Sequence, residues 1–311
     1  MNSYAVEVED LVRTFGDFVA VDHIHFKVAR GEIFGFLGPN GAGKSTTIRI
    51  LCGLLMPTSG KGNVSGFDIM REPEKIKQVI GYMSQKFSLY EDLTVAENLH
   101  FFGGIYGLSG PFQREREERV LEMTSLRELR DRMTRTLAVG WKQRVALGCA
   151  ILHEPSILFL DEPTSGVDPI SRRNFWRLIR QMGERGETAF VTTHYMDEAE
   201  YCDRLALIYQ GRIIALGTPS ELKRNALPQG VLEVECDRLM LALDLLKKEP
   251  WISEAAIFGD CLHVIVKEGT DPEREIASLF TKHGILLRKM GRIRPSLEDV
   301  FVSLIENVEK Q

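Results

Sequence analysis

The chain has 311 residues, of which 27% are charged and 44% hydrophobic, as is ordinary for one large or two modest globular domains. Its formal net charge is −5 and neither end carries an acidic or basic tail, so composition argues against a nucleic-acid partner. The first residues lack the apolar core of a signal peptide, and runs of about 18 apolar residues are absent, so any membrane role is expected to come through a partner.

The first third of the chain predicts strands, a loop and a helix. Residues 4–29 alternate between apolar and polar side chains, which indicates half-buried antiparallel strands. Residues 33–37 form a short apolar run, which is typical of a buried parallel strand. A helix is predicted over 46–55, before Pro57, and a hairpin is predicted over 58–66.

Between that apolar strand and that helix, residues 38–46 read GPNGAGKST and fit the phosphate-binding pattern G-x-x-x-x-G-K-[ST]. Glycines allow backbone N–H groups to surround a phosphate chain, and the helix that follows directs its positive end at the anion. Lys44 would pair with the outer phosphates and Ser45 would bind Mg²⁺. A chance match is the alternative, and the strand–loop–helix context argues against it.

The middle of the chain predicts a helical insert followed by an α/β region. Helical periodicity over about 90–135 includes the charged stretch 114–119, which we interpret as the solvated face of a helix. Alternating strands and helices predict an α/β fold with a mostly parallel, covered sheet, and the insert makes this domain two-lobed. The later strands and helix are predicted over 157–160, 169–184, 188–192 and 205–209.

From about residue 230 the pattern starts again, which predicts a second domain over 230–311 after a linker at 225–230. Its order is β-α-β-β-α-β, the order of a ferredoxin-like α+β unit, and a last helix is predicted over 296–308. The five cysteines form no CxxC pair, and we expect reduced core residues at Cys52, Cys149, Cys202, Cys236 and Cys261.

Polar residues follow several of the predicted strands. Asp161 and Glu162 come directly after the apolar run 157–160, where a carboxylate directed at Mg²⁺ belongs, and Glu162 would polarise the attacking water. His194 follows the strand near 190, and Gln85 follows a short apolar run at 79–83. Since α/β sheets bind ligands at the carboxyl ends of their strands, these side chains are expected at one site.

In this order and spacing, GPNGAGKST, Gln85, LAVGWKQR at 137–144, LFLDEPTSGVDP at 158–169 and His194 resemble the ABC ATPases. The resemblance covers residues 1 to about 225, with the helical subdomain at about 86–150. It implies an ATP-binding subunit of an ABC transporter that uses ATP and Mg²⁺. HYMDEAEYCDRLALIYQGRIIALGTPSEL and PSLEDVFVSLI are typical of the bacterial branch that exports drugs or polysaccharides.

The resemblance also implies roles for individual residues. Phe15 would stack on adenine, with a place in a strand core as the alternative. Gln85 would sense Mg²⁺ and the attacking water, Asp161 and Ser45 would hold the metal ion, and Glu162 would be the general base. Asp168 would communicate across a dimer and His194 would contact the γ-phosphate. The phosphates would be held by Gly38, Pro39, Asn40, Gly41, Ala42, Gly43, Lys44, Ser45 and Thr46.

One segment departs from the family pattern. Where LSGGQ is usual, this chain has Leu137, Ala138, Val139, Gly140 and Trp141. Ala138 cannot donate the serine hydrogen bond to the γ-phosphate of an ATP held by the other subunit, and a charged hydrogen bond contributes about 1.5–3 kcal/mol. Two interpretations stay open: the residues that follow compensate, or a partner subunit supplies a better signature.

The resemblance implies a head-to-tail pair of ATP-binding subunits, identical or different, on the cytoplasmic face of the inner or plasma membrane. They would power export through a separate membrane-spanning permease subunit. Residues 87–90 are candidates for docking it, with packing of the helical lobe as the alternative. The second domain is open to regulation, dimer stabilisation or bracing. An ABC-type ATPase of ribosomes or DNA and a kinase are the alternative functions. The single cassette, without a basic face, argues against the former, and 137–144 with His194 argues against the latter.

Overall fold

The computed structural model describes residues 3–85, 88–227, 230–267 and 271–309. The chain forms two compact units, Met1–Thr218 and Pro219–Gln311. The sequence pattern predicted that the first domain ends near residue 225, before a linker at 225–230, which lies a few residues beyond Thr218, the last residue of the first unit. Each helix in the described ranges is too short or too polar to cross a bilayer.

The first unit alternates strands and helices after an antiparallel start, as the sequence pattern predicted. In chain order its elements are β1 (Tyr4–Phe15), β2 (Phe18–Ala29), β3 (Ile33–Leu37), α1 (Lys44–Leu51), β4 (Ser59–Val64), β5 (Phe67–Asp68), α2 (Pro73–Val79), β6 (Ile80–Met83), α3 (Val95–Ile105), α4 (Gly110–Met123), α5 (Val139–Ile151), β7 (Ile157–Asp161), α6 (Pro169–Glu184), β8 (Ala189–Thr193), β9 (Arg204–Tyr209) and β10 (Arg212–Gly217).

The central sheet of this unit has six strands in the order β10-β9-β3-β8-β7-β6, and β10 is its one antiparallel strand. β3, β7 and β8 are buried along their whole length, which explains why they are apolar runs rather than alternating sequences. Because β3, β7 and β8 are parallel neighbours, their carboxyl ends bring the phosphate loop, the Asp161–Glu162 pair and His194 to one edge of the sheet.

A second, antiparallel sheet has the order β2-β1-β4-β5. Its apolar side chains share a core with the central sheet, in which the rings of Phe26, Phe34, Phe36 and Phe190 lie 5.4–5.9 Å apart. Aromatic pairs at this spacing add about 0.5–1.5 kcal/mol each beyond the area they bury. This packing fixes β1 and β2 against the strand that leads into the phosphate loop.

The helical insert contains α3, α4 and α5, which pack on one another around an apolar core. The prediction that 114–119 is a solvated helix face is wrong at one position, because Arg116 on α4 is only 5% exposed. Its Nε donates to the Leu152 carbonyl at 3.0 Å, and its guanidinium also pairs with Glu154. Arg116 therefore ties α4 to the end of α5, which a run of alternating charges could not reveal.

The second unit contains α7 (Pro219–Ala226), β11 (Val231–Cys236), α8 (Leu239–Leu246), β12 (Ile252–Phe258), β13 (Cys261–Val266), α9 (Pro272–Lys282), β14 (Leu287–Ile293) and α10 (Leu297–Glu309). Its sheet order is β12-β13-β11-β14 with antiparallel neighbours throughout. That is the strand order of a ferredoxin-like sheet. α8 and α9 close the apolar core on one face, and α7 contacts α10.

Candidate active site

The phosphate loop requires glycine at two positions because a Cβ atom there would collide with neighbouring backbone. A Cβ at Gly43 would lie 2.3 Å from the Ala20 carbonyl oxygen, and one at Gly38 would lie 2.2 Å from the Ile208 carbonyl oxygen. Gly43 also has a φ of 105°, in the left-handed region that glycine favours. The loop therefore runs from β3 to α1 in direct contact with neighbouring backbone, which fixes its shape before any ligand binds.

The Lys44 side chain is buried in this loop, and the residue is 4% exposed. Its Nζ donates hydrogen bonds to the carbonyls of Gly38 at 2.8 Å and Pro39 at 3.0 Å, and it lies 3.1 Å from the Glu162 Oε1. A buried ammonium needs this many partners, because an unpaired charge in the interior is costly. Lys44 thus links the loop to the end of β7 within one chain.

Asp161, at the end of β7, is fully buried. Its Oδ1 accepts hydrogen bonds from the Ser45 hydroxyl at 3.0 Å and from the Thr192 hydroxyl at 2.8 Å, whereas its Oδ2 has no partner among the described residues. Burial raises the pKa of the Asp161 carboxyl above its usual range, and these hydroxyl hydrogen bonds partly offset that rise. An orphaned carboxylate oxygen beside a hydroxyl fits a hard cation such as Mg²⁺, which prefers oxygen ligands.

Glu162 is held in an uncommon backbone conformation, with a φ of 47°. Its N–H donates to both the carbonyl and the hydroxyl oxygen of Thr192, at 3.1 and 3.0 Å. A non-glycine residue in this region costs about 1–3 kcal/mol and persists where its surroundings enforce it. The conformation turns the side chain away from Asp161 and toward Lys44, so that consecutive carboxylates serve different partners.

The Glu162 carboxylate is the centre of a polar network. Its Oε2 accepts a hydrogen bond from the Gln85 Nε2 at 3.0 Å and lies 3.2 Å from the His194 Nδ1, while Oε1 faces Lys44. Glu162 is 6% exposed and the His194 side chain 28%, so the network is open to solvent at His194. Three residues that the sequence placed at the site, Gln85, Glu162 and His194, are thus in direct contact.

A cavity of about 350 Å³ opens in front of this network. Phe15 is 46% exposed at its edge, which rules out a place in a strand core, and the Arg13 guanidinium lies over its ring at 4.4 Å. Phe18 is 62% exposed, and sequence reasoning missed it although an aromatic residue on each side of the Gly16–Asp17 turn was visible. The lining residues are Phe15, Phe18, Ala20, Asn40, Gly41, Gly43, Lys44, Ser45, Thr46, Gln85 and Glu162.

Asp168 lies outside the cavity lining and caps α6. Its Oδ1 accepts hydrogen bonds from the N–H groups of Ile170 at 3.1 Å and Ser171 at 2.9 Å. Hydrogen bonds from the side chain and then the backbone of Ser171 lower the pKa of the Asp168 carboxyl. The described contacts therefore give Asp168 a local capping role, and its predicted role across a dimer stays a prediction.

The segment Leu137–Gly140 also lies outside that lining. Ala138 is the N-cap of α5 but has no side-chain oxygen to accept from the helix, and Val139 is 43% exposed. A Cβ at Gly140 would lie 2.8 Å from the Ser171 Cβ, so this glycine permits α5 to approach α6. Ala138 and Val139 therefore present an apolar helix start to the surface.

Two positive groups follow this helix start. The Arg144 guanidinium lies over the Trp141 ring at 4.9 Å, and Trp141 is 38% exposed. The Lys142 Nζ pairs with the Glu91 carboxylate at 2.6 Å. Both cations are thus engaged by neighbours of the same chain.

Sequence reasoning missed Thr192 as well as Phe18. Thr192 stands opposite Asp161 in the parallel register of β7 and β8, and its hydroxyl and carbonyl orient both acidic residues. Only the register reveals this role, because threonine within an apolar strand reads as an ordinary strand residue. The structure therefore brings together most of the predicted site residues and adds two that position or line it.

Comparison with known proteins agrees with this geometry. A family model described as "ABC transporter" matches residues 21–165. The probable multidrug ABC transporter ATP-binding protein YbhF of Escherichia coli K12 is 57% identical over 221 residues, which cover 71% of this chain and 38% of YbhF. The linearmycin resistance ATP-binding protein LnrL of Bacillus subtilis 168 is 35% identical over 304 residues, covering 96% of this chain and 97% of LnrL.

Solved structures share the fold of about 70% of this chain. The structure of cbiO1 from Clostridium perfringens, described as part of the ABC transporter complex cbiONQ, has a TM-score of 0.66 at 32% identity and covers 71% of this chain and 91% of cbiO1. The ATP-binding cassette MJ0796, a dimer bound to ADP and Pi, has a TM-score of 0.62 at 25% identity and covers 68% and 98%. With relatives at least 35% identical and aligned over nearly their full length, this chain belongs to the family of ABC transporter ATP-binding proteins.

Proposed function

We propose that this chain binds Mg-ATP in the cavity around Lys44 and hydrolyses it with Glu162 as the general base. The observation that carries the proposal is the buried Glu162 carboxylate, which is in contact with Lys44, Gln85 and His194. Since the matched segment spans only 38% of the length of YbhF, the activity is argued from this site rather than taken from that relative.

The site's own residues supply most of what phosphoryl transfer needs. Bound Mg²⁺ would neutralise charge on the phosphates, and Ser45 with Asp161 would hold it. Lys44 would exchange its contacts with the Gly38 and Pro39 carbonyls for phosphate oxygens. Gln85 and His194 would keep Glu162 aimed at the attacking water, and Phe15 would present an exposed ring for the adenine.

We also propose that two ATP-binding subunits close on ATP, each covering the other's nucleotide with its Leu137–Gly140 segment. Supporting this, Ala138 and Val139 are exposed and the segment lies outside the cavity lining of its own chain, so these residues are available to a second chain. The ATP-binding cassette MJ0796 is dimeric when bound to ADP and Pi, which supports pairing of two such subunits around nucleotide. A two-fold axis generates two such sites at once.

The test is the Glu162→Gln variant, compared with Lys44→Ala. Glu162→Gln should lower ATP turnover by about 10²–10⁴-fold, because the general base is lost while the shape of the side chain is kept. On gel filtration it should shift from monomer to dimer in Mg-ATP, whereas Lys44→Ala should bind ATP weakly and stay monomeric. Unchanged turnover in Glu162→Gln would contradict the proposed base, and a persistent monomer would contradict closure by identical chains.

We propose that the helical insert docks the membrane-spanning permease, which would place this chain on the cytoplasmic face of the membrane as a peripheral subunit working in export. Supporting this, Tyr90 and Phe101 are 49% and 40% exposed, with ring centroids 4.7 Å apart, and Tyr90 is close in sequence to Gln85. Phe87, part of the predicted docking segment, lies outside the described residues. Tyr90→Ala should uncouple ATPase activity from transport, and unchanged coupling would remove this surface from consideration.

A further inference from the structure

One face of the sheet in the second unit carries chemistry that hydrolysis of ATP does not use. Along β11 and β13, alternate residues such as Val234 and Leu262 join the apolar core under α8 and α9. The residues between them face the other side of the sheet, and they include Glu233, Cys261 and His263.

These three side chains are brought together by strand register. Glu233 and His263 stand directly opposite each other in the antiparallel pair, and Cys261 precedes His263 by two residues on the same face. One potential ligand atom from each residue lies within 4.8 Å of the other two. Cys261 is 8% exposed and the His263 side chain 11%, so two of the three are largely shielded from water.

The imidazole of His263 is already oriented by a carboxylate. Its Nδ1 lies 2.6 Å from the Asp299 Oδ1, and its ring stacks on Phe258 at 4.1 Å. Asp299 is 3% exposed, and its Oδ2 accepts hydrogen bonds from both the N–H and the hydroxyl of Ser296 at 2.7 Å. Since Asp299 takes Nδ1, the lone pair of a neutral imidazole is left on Nε2, the tautomer that carboxylate partners impose on metal-binding histidines.

We propose that Glu233, Cys261 and His263 form a metal site in the second unit and that its ion is Zn²⁺. A thiolate, an imidazole and a carboxylate suit zinc, whereas Mg²⁺ requires oxygen ligands throughout. Zinc–ligand bonds of about 2.0–2.3 Å put tetrahedral ligands about 3.5 Å apart, so an inward movement of about 1 Å closes the present arrangement. The fourth ligand would be water or a further carboxylate.

The charges around the site favour a cation. The Glu233, Asp260 and Glu235 carboxylates place negative charge around the Cys261 thiol, and a bound cation would offset that charge. At present the exposed Lys289 ammonium supplies positive charge, with its Nζ 3.2 Å from Glu233 and 3.3 Å from Glu235. Lys289 therefore competes with a metal ion for Glu233 and would swing into solvent when the ion binds.

An ion here would join three elements of the second unit. Glu233 lies on β11, Cys261 and His263 lie on β13, and Asp299 connects His263 to α10. Because the folded form alone brings the ligands together, metal binding would stabilise this unit. The site is separate in sequence and chemistry from the oxygen ligands Ser45 and Asp161.

The test uses the full chain, without nucleotide, and Co²⁺ as a spectroscopic substitute for Zn²⁺. Wild type should show near-ultraviolet thiolate-to-cobalt absorption at one ion per chain, and ZnCl₂ should abolish it. Cys261→Ser should lack the absorption, His263→Gln should weaken Co²⁺ binding, and the matched control Cys236→Ala, a core thiol of the same unit, should keep it. A thiolate band cannot arise from the oxygen ligands of the ATP site.

Lys289→Ala keeps every proposed ligand, so it tests the site even if the ligand variants fail to fold. Removing the competing ammonium should tighten Zn²⁺ binding by up to ~5-fold, the range of an exposed ion pair, in titration calorimetry. The proposal is overturned if wild type gives no thiolate band in excess Co²⁺, if the band survives in Cys261→Ser, or if Lys289→Ala binds Zn²⁺ more weakly than wild type.

Discussion

Two parts of the first unit are built differently: the phosphate-loop side, around Lys44 and Glu162, and the signature side, which is the start of α5 at Leu137–Gly140. On the first, Lys44, Gln85, Glu162 and His194 are joined by contacts of 3.0–3.2 Å within one chain. On the second, α5 begins at an alanine without a cap, followed by a half-exposed valine. The first side is a polar network completed within one chain, whereas the second begins with an exposed apolar helix start that has no side-chain cap.

This difference separates ATP hydrolysis, which the phosphate-loop side would carry out, from closure of two subunits on ATP, in which the signature side would take part. Buried polar networks are stable when every member is satisfied, so the hydrolytic residues can be organised before ATP arrives. The start of α5 offers backbone N–H groups and the positive end of a helix, both of which attract an anion without a hydroxyl. Changes on the signature side should therefore affect closure on ATP much more than the chemistry itself.

Ala138→Ser is the sharpest way to test that separation. A serine here would cap α5 and donate to the γ-phosphate held by the other chain, a charged hydrogen bond of about 1.5–3 kcal/mol. In the Glu162→Gln background, ATP-dependent dimerisation should strengthen by roughly 10- to 150-fold in analytical ultracentrifugation. Ala138→Gly provides a better N-cap than alanine but adds no hydroxyl, so it should change ATP-dependent dimerisation little. Equal gains in both variants would assign the effect to the helix rather than to the phosphate.

Gly140→Ala tests whether the signature helix depends on close contact with α6. The added methyl would collide with the Ser171 Cβ, and overpacking costs about 1–3 kcal/mol, partly offset by about 1 kcal/mol of better helix propensity. The melting temperature should fall, and Ser171→Gly should restore it. Gly104→Ala, a helical glycine with open space around it, is the matched control and should not lower it. Equal responses at both glycines would remove the contact from the explanation.

The smallest effect is expected from pH at Asp161. Its pKa is raised above 3.8 by burial, so a proton competes with Mg²⁺ at less acidic pH than at an exposed aspartate. As pH falls through that raised pKa, the Mg²⁺-dependent part of ATP affinity should fall, while the nucleotide-free protein gains stability because folding favours the protonated form. ATP titrations with Mg²⁺ or with chelator across mildly acidic pH measure this. Asp161→Asn should show no such dependence, and a dependence that persists there would contradict the assignment.

The sequence determined the elements whose cause is local. Apolar runs predicted β3 and β7, because strands covered on both faces contain few polar residues. Helix α6 was predicted at the bounds it has, 169–184, since it starts at a proline and keeps its helical period to the end. The phosphate loop could be predicted for the same reason, because local backbone geometry requires its glycines.

Tertiary structure decided the properties that arise between elements. Arg116 was predicted to be solvated, but packing of α4 on the end of α5 buries it. Thr192 positions Asp161 because the two residues are paired in the register of β7 and β8. Cys261 was expected to be a reduced core residue, and it is a free, buried cysteine. Its neighbour Glu233 is brought close by pairing of β11 with β13, whereas His263 lies two residues further along the same strand. Local sequence fixes backbone preferences over a few residues, whereas charge burial and side-chain contacts depend on segments far apart in the chain, which only folding brings together.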